Sequence, residues 1–188
     1  MIRYAKKNDA DQIIPLIMII LEDMELGFLQ TYGDEKLRAI LKKGFMTETF
    51  RYSYRRAMVV EEEGEILGVA YGYNESEEAI IDLPLIEIFN EFEIPVTEKM
   101  FLDKEAFEGE WYLDSIAVRD DQRGKGIGAQ LLAALPEFAK SQEANKIGLS
   151  VDDDNPRAKK LYSRIGFKEV GRATISGHLY DHMQIELD

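Results

Sequence analysis

Cysteine is absent from the sequence, and histidine occurs only twice, as His178 and His182. Without cysteine the chain has no disulfide bonds, no thiolate metal ligands and no cysteine nucleophile for a covalent intermediate. Two histidines are too few for a three-histidine metal centre, and the aspartates at 152–154 lack the further ligands of a calcium loop. We therefore expect no resident metal ion, and an ordinary half-buried position for each histidine.

Long apolar segments are also missing. The longest apolar run, Ile13–Leu21, has nine residues and contains Pro15, whereas a helix that spans a membrane needs about 20 residues. Asp9 and Asp11 precede this run, and acidic residues do not suit the basic start of a signal peptide. The sequence predicts a soluble cytoplasmic protein without a membrane partner.

Basic residues are outnumbered, with 23 lysines and arginines against 36 aspartates and glutamates. A net charge of −13 argues against sequence-independent binding of nucleic acid, which depends on neutralising phosphates. Residues 61–110 carry 16 acidic and two basic residues, whereas the rest of the chain has a net charge of +1. This imbalance predicts that the acidic region helps to attract a cationic substrate, with solubility alone as the alternative explanation.

Hydrophobic residues still make up 45% of the 188 residues, which is enough for the core of one domain over residues 1–188. Residues 74–110 form a long acidic connection with one amphipathic stretch at 85–92. Apolar periodicity predicts strands at 2–4, 57–61, 66–73, 111–118, 146–151, 167–174 and 179–187, and helices at about 11–24, 34–46, 126–140 and 156–165.

The most specific stretch joins the strand at 111–118 to the helix at 126–140. It contains three glycines in alternation, with two basic residues beside them: Arg123, Gly124, Lys125, Gly126 and Gly128. Glycine allows a backbone to approach a ligand closely, and the free N–H groups of a first helical turn attract phosphate oxygens. The segment therefore predicts a diphosphate cradle. Its spacing fits neither the G-x-G-x-x-G dinucleotide fingerprint nor a P-loop.

This stretch resembles motif A of the GNAT superfamily of acetyl-CoA-dependent N-acetyltransferases, R/Q-x-x-G-x-G/A, through Arg123, Gly126 and Gly128. The resemblance extends from the first strand to the last, except for an acidic insertion at 74–110. It implies an α/β (α+β) fold with a mixed, mostly antiparallel twisted sheet flanked by helices, in which the parallel fourth and fifth strands splay apart. Further parts of the family pattern are the central strand at Asp114–Val118 and motif B at Asn155–Ala158, Leu161–Tyr162 and Gly166–Phe167.

The resemblance also implies where acetyl-CoA, the co-substrate, binds. In the family the pantetheine arm pairs with the central strand, the pyrophosphate lies on the glycine loop, and an asparagine after the next strand contacts the pantetheine. That asparagine, Asn155, also suits the N-cap of a helix that starts at Pro156. The residues implied to bind acetyl-CoA are Ile116, Ala117, Val118, Arg123, Gly124, Lys125, Gly126, Ile127, Gly128, Ala129 and Asn155.

Tyr162, seven residues after Asn155, is implied to be the general acid. Attack of an amine on a thioester expels a thiolate whose thiol has a pKa of about 8.5, and a tyrosine with a pKa of about 10 can protonate it. Packing beside Leu161 and Ile165 is the alternative role for this ring. The resemblance thus implies that Tyr162 protonates the leaving thiolate.

The amine must lose a proton as well, and here the sequence departs from the family pattern. Ser150 stands where some members have a glutamate, and a serine is a poor base. Asp114 is the nearest alternative, ahead of Glu110 and Asp152, and a route through water stays equally open.

We therefore expect direct transfer of acetyl from acetyl-CoA to a primary amine on a small molecule or peptide, in a ternary complex. A CoA-binding regulatory module with reduced turnover is the alternative, because the family glutamate is absent at Ser150. Homodimers are common in the family that the chain resembles. Tyr71 and Tyr73, which alternate on one strand, either line the acceptor pocket or pack in the core.

Overall fold

Seven strands form one sheet in the computed structural model, which describes residues 1–188. The strand order is β1-β2-β3-β4-β5-β7-β6, and every neighbouring pair is antiparallel except β4 and β5. The strands are β1 (Ile2–Tyr4), β2 (Ala57–Glu62), β3 (Glu65–Asn74), β4 (Trp111–Val118), β5 (Lys146–Asp152), β6 (Lys168–Ile175) and β7 (His178–Glu186). This is the mixed, mostly antiparallel sheet that the sequence predicts.

Six helices flank the sheet: α1 (Ala10–Asp23), α2 (Gly27–Tyr32), α3 (Asp34–Phe45), α4 (Leu85–Glu91), α5 (Ile127–Lys140) and α6 (Pro156–Ile165). Helices α1, α3, α5 and α6 lie where the sequence predicts helices, and α4 lies on the amphipathic stretch at 85–92. The short helix α2 was not predicted, because its six residues are fewer than two helical turns. None of the helices is both long and apolar enough to cross a bilayer.

The alternation of side chains along the strands separates two cores. On β2, Val59 faces a core of 27 buried residues that includes α1 and α3. Its neighbours Met58 and Val60 face a second core of 17 buried residues beneath α5. A sheet covered on both faces explains why β2 and β3 are nearly continuous runs of apolar residues.

The acidic insertion starts and ends at the same end of the sheet, since the Glu75 amide donates to the Glu110 carbonyl at 2.9 Å. Between these ends, Phe89 of α4 stacks on Phe28 with ring centroids 5.3 Å apart. The backbone of Arg51 donates to the Ile81 carbonyl at 2.9 Å. The insertion therefore covers the loop before β2.

Charges that are segregated along the sequence are mixed in space. Several carboxylates of residues 61–110 pair with cations from the remainder of the chain: Glu61 with Arg3, Glu65 with Arg119, Glu77 with Arg56, Asp82 with Arg51 and Glu91 with Lys43. The acidity of this region is thus partly neutralised before any substrate arrives.

Candidate active site

The parallel pair β4–β5 is short. Only Trp111–Leu113 pairs with Ile147–Leu149; beyond them β4 stays on β3 and β5 stays on β7. The β3–β4 register also shifts between Tyr71 and Gly72, so that Asp114 is the extra residue of a bulge. The predicted splay is therefore confirmed, and it leaves the β5-facing edge of β4 open to an extended ligand from Ser115 onward.

The glycine loop follows the end of β4. Gly124 and Gly126 have φ of +78° and +85°, a left-handed conformation that glycine adopts without strain. Gly126 is also the N-cap of α5, and no side chain caps this helix. A Cβ at either glycine would meet nothing within 4 Å. The space over these glycines is thus open, and the first-turn N–H groups of α5 have no side-chain partner, as a bound diphosphate requires.

The two cations of the loop are exposed and only weakly engaged. Arg123 pairs with Asp120 at 2.9 Å, and Lys125 donates to the side-chain oxygen of Gln122 at 3.3 Å. Exposed pairs of this kind contribute little, so both cations are available to phosphate. The side chains of Ala117 and Ile127 are buried in the two cores, and these residues offer a ligand only their backbone.

Helix α6 carries the two predicted residues of motif B. Asn155 is its N-cap, with Oδ1 accepting from the Ala158 amide at 3.1 Å. Tyr162 is half-buried against Phe167, with ring centroids 5.9 Å apart. Burial raises the pKa of Tyr162, which keeps the phenol protonated at neutral pH. The N-cap prediction for Asn155 is confirmed, whereas its contact with acetyl-CoA and the acid role of Tyr162 stay predictions.

A cavity of about 190 Å³ lies at the splay. Ile116 of β4, one of the residues predicted to contact acetyl-CoA, forms part of its wall. Ser150 of β5 and Tyr180 of β7 line it as well, together with Glu105 of the insertion and Asp114 at the bulge. The predicted cofactor strand and Asp114, the first candidate base, therefore share one space, whereas Glu110 and Asp152 do not line it.

Asp114 is already committed to other groups in this cavity. One carboxylate oxygen accepts from Arg51 Nη1 at 2.7 Å, and the other accepts from Ser115 Oγ at 2.7 Å. Only 3% of its side chain is exposed. Both carboxylate oxygens are thus occupied by donors of the protein itself. The geometry therefore favours Asp114 as the anchor of Arg51 over the role of proton acceptor.

Arg51 is the central cation of the site, and the sequence motifs do not reveal it. Its side chain is 3% exposed and reaches Asp82 at 3.0 Å, Asp114 at 2.7 Å and Glu105 at 3.5 Å. The ring of Phe101 lies 4.2 Å from its guanidinium carbon. A buried arginine is tolerated only with such partners. These come from the insertion and from β4, so no local spacing predicts them.

Glu105 is a second residue that sequence reasoning missed. Its carboxylate accepts from the Tyr112 hydroxyl at 3.1 Å and faces Arg51. Burial and the charge of Asp114 outweigh the attraction of Arg51 and raise the pKa of Glu105 to about 8. The cavity thus contains a carboxyl group that takes up or releases a proton near neutral pH.

Ser150 contacts a buried polar pair, His182 and Glu110, behind the cavity. Ser150 Oγ lies 3.1 Å from His182 Nδ1, and His182 Nε2 lies 2.8 Å from the Glu110 carboxylate. His182 is fully buried, so the half-buried position expected for it is wrong. The burial is possible because the Glu110 carboxylate is a hydrogen-bond partner of its ring nitrogen.

Tyr71 and Tyr73 are also fully buried and do not line the cavity. For these tyrosines the packing alternative holds.

Comparison with known proteins adds the family to this geometry. The model of the family described as "Acetyltransferase (GNAT) family" matches residues 18–167, which is more than half of the chain. The chain belongs to the GNAT family of acetyltransferases. The expected family and its fold are thereby confirmed.

Known acetyltransferases are similar to this chain over different lengths. L-methionine sulfoximine/L-methionine sulfone acetyltransferase of Pseudomonas aeruginosa is 38% identical over 39% of this chain and 46% of its own length, so the match spans less than half of that relative. Thialysine N-epsilon-acetyltransferase of Bos taurus is 28% identical over 92% of this chain and 86% of its own. A solved structure titled as an acetyltransferase is 45% identical, with a TM-score of 0.92 over the whole of both chains.

The GNAT family uses acetyl-CoA as its acetyl donor, and the residues of this chain fit that molecule. The open edge of β4 offers unpaired backbone groups to an extended arm. The uncapped start of α5 and the open space over Gly124 and Gly126 suit a diphosphate, and Arg123 and Lys125 supply positive charge beside it.

Proposed function

We propose that this protein transfers the acetyl group of acetyl-CoA directly to a primary amine, and that the acceptor is a small cationic molecule or the end of a basic peptide. The observation that carries the proposal is the cavity at the β4–β5 splay, where Ile116 meets the carboxyl groups of Glu105 and Asp114. A thioester held along β4 and an amine held by these groups would meet at one point, which favours reaction in a ternary complex.

The chain's own residues supply the donor side of this reaction. Backbone groups of Ile116–Val118 pair with the pantetheine arm, and the amides from Gly124 to Ala129 bind the pyrophosphate. Asn155 contacts the arm while its side chain caps α6. Backbone N–H groups at the bulged strand polarise the thioester carbonyl and stabilise the oxyanion that develops there.

Tyr162 protonates the departing sulfur. A phenol whose pKa is raised by burial remains protonated until the thiolate forms beside it, so its proton is available when it is needed. No covalent intermediate is required, which agrees with a chain that has no cysteine.

The acceptor side favours a cation. Two carboxyl groups and one guanidinium line the cavity, and a second positive charge entering it favours the ionised form of Glu105. The relatives' names support small acceptors, because thialysine and methionine sulfoximine both carry a primary amine. We propose the same class here, with a cytoplasmic location and a homodimer as further predictions.

The test is release of free thiol from acetyl-CoA with a panel of amines: diamines, polyamines, basic dipeptides and neutral amines of matched size. We expect release above the hydrolysis blank, highest for cations, and kcat/KM for the best cation falling as salt rises. Binding of acetyl-CoA without amine-dependent release would instead support the regulatory module. A best acceptor with net negative charge would contradict the cationic assignment.

A further inference from the structure

We propose that Ser150, His182 and Glu110 form a proton relay in which Ser150 takes the proton from the acceptor ammonium and passes its own proton to His182. The inference rests on the proposed function and deepens it, since it names the base that the sequence left open. It assigns a purpose to a serine that occupies the position of a glutamate.

The relay reaches the cavity through Ser150. This residue lines the cavity at the splay and stands directly opposite His182 in the β5–β7 ladder. Ser150 Oγ lies 3.1 Å from His182 Nδ1, within hydrogen-bond distance. A substrate in the cavity can therefore contact the serine, while the histidine behind it is closed to solvent.

Glu110 fixes which ring nitrogen carries the proton. Its two oxygens lie 2.8 and 3.0 Å from His182 Nε2 and also accept from the Phe107 amide and the Gln184 side chain, each at 2.7 Å. The carboxylate accepts from Phe107 and Gln184 and therefore faces His182 Nε2 as an acceptor too. This contact assigns the N–H to Nε2, which leaves Nδ1 to accept from Ser150.

Two glycines make room for this arrangement. A Cβ at Gly148 of β5 would collide with the Glu110 carboxylate, and a Cβ at Gly171 of β6 would lie 2.9 Å from the Phe107 ring. Phe107 in turn stacks on the His182 imidazole, with centroids 3.7 Å apart and planes 4° from parallel. The strands on both sides of β7 thus hold the imidazole in one orientation.

Few other charges act on His182. The loop before β4 contributes Glu110, β4 contributes Tyr112 with its ring 5.9 Å away, and β6 presents Gly171 opposite it in register. The neighbouring carboxylate, Asp181, is paired with cations of α6 and β6. Glu110 is therefore the carboxylate in direct contact with the imidazole.

The proton transfer balances as follows. An N–H bond of the acceptor ammonium breaks as Ser150 Oγ gains that proton, and the original hydroxyl proton moves to His182 Nδ1. The neutral amine attacks the thioester carbonyl carbon; the C–N bond forms, the C–S bond breaks, and the sulfur takes the phenolic proton of Tyr162. The second proton of the new amide nitrogen passes through solvent to restore the phenol. After the product leaves, His182 returns its proton through Ser150 to solvent, which is the one proton that the reaction releases.

The relay makes a prediction that a purely structural cluster does not. Alkyl amines have pKa values near 10 and arrive protonated, whereas a fluorinated analogue of the same shape arrives neutral. For Ser150→Ala we expect kcat/KM to fall by about 10²-fold with the alkyl amine and by far less with the fluorinated one. The kcat/KM of the variant for the alkyl amine should rise with pH up to about 10, since only the free amine then reacts.

Two further variants complete the experiment. Ser150→Thr keeps a hydroxyl and should retain most of the activity. Ser115→Ala removes another hydroxyl that lines the cavity, one that donates to Asp114 and does not contact His182. This variant should leave the ratio of kcat/KM between the two amines unchanged.

The outcomes separate the relay from the proposed function. Loss of the same factor with both amines in Ser150→Ala would overturn the relay and leave the transferase in place. No amine-dependent thiol release by the unmodified protein would overturn both. Nitrogen NMR of the His182 ring provides a readout independent of activity: a proton on Nε2 is expected, and a proton on Nδ1 in the resting protein would overturn the relay.

Discussion

The two sides of the splay are built in opposite ways. The proposed cofactor side, Ile116 to Ala129, uses backbone groups of one continuous segment, and its cations are exposed. The proposed acceptor side uses side chains from separate parts of the chain, and these are largely buried and paired: Arg51, Glu105, Asp114, Ser150 and His182. A binding site made of backbone depends on local conformation, whereas one made of buried charges depends on the whole fold.

Replacing Arg51, the central cation of the acceptor side, should cause the largest loss of stability. Arg51→Met removes the cationic partner of the buried carboxyl groups of Asp114 and Glu105, and such losses typically cost about 3–5 kcal/mol. Urea unfolding should show this loss. The control is Arg55→Met, whose pair with Glu48 is exposed, with 57% and 63% of the side chains accessible; it should cost at most about 1 kcal/mol. Equal costs would mean that the buried network is not what stabilises this side.

We propose Tyr162 as the proton donor of the reaction between the two sides. Tyr162→Phe removes the hydroxyl but keeps the ring against Phe167, so turnover should fall by roughly 10²-fold or more if the proposal holds. Binding of acetyl-CoA, measured by calorimetry, should change little. Turnover at the level of the unmodified protein would return Tyr162 to a packing role.

The cofactor side can be tested through ligand-induced stabilisation. Acetyl-CoA at 100 times its dissociation constant should stabilise the fold by about 2.7 kcal/mol, visible as a rise in melting temperature, while NAD should produce none. Gly126→Ala strains a backbone with φ of +85° and places a methyl group in the cradle, so it should reduce this rise.

Gly64→Ala is the matched control for that substitution. Gly64 lies in the β2–β3 turn with φ of +84°, and a Cβ there also meets nothing within 4 Å. Both variants should lose about 1–2 kcal/mol of stability from the left-handed conformation. Only Gly126→Ala should lose affinity for acetyl-CoA, and equal affinity losses would argue against the cradle.

The smallest effect concerns the titration of Glu105. Its pKa rises from an ordinary value of 4.5 to about 8 in the fold, so between these values the folded state holds a proton that the unfolded chain has released. Stability then falls as pH rises, by up to about 1.4 kcal/mol per pH unit. Glu105→Gln should remove this slope in urea unfolding at pH 5.5 and 6.5. Glu108→Gln, at an exposed neighbouring position, should keep it.

The same contrast explains how far the sequence could predict the molecule. The glycine spacing around Gly126 and the strand at 111–118 are local patterns, and the structure places both where these patterns indicate. Arg51 and Asp114 are 63 residues apart, and His182 and Glu110 are 72 apart. No periodicity links such pairs, because folding alone brings them together. The serine at 150 could be noted as a departure, but its partner on β7 could not be inferred from spacing.

In mechanical terms, the sheet consists of two halves that are joined by a short stretch of backbone pairing. Strands β1 to β4 form one half and β5 to β7 the other. The strand pairing between the halves consists of three parallel residue pairs, between Trp111–Leu113 and Ile147–Leu149. A force that pulls the two halves apart acts first on these three pairs. A pantetheine arm lying in the remaining gap would extend the pairing toward Val118, so the bound substrate would stiffen the sheet where its strand pairing is shortest.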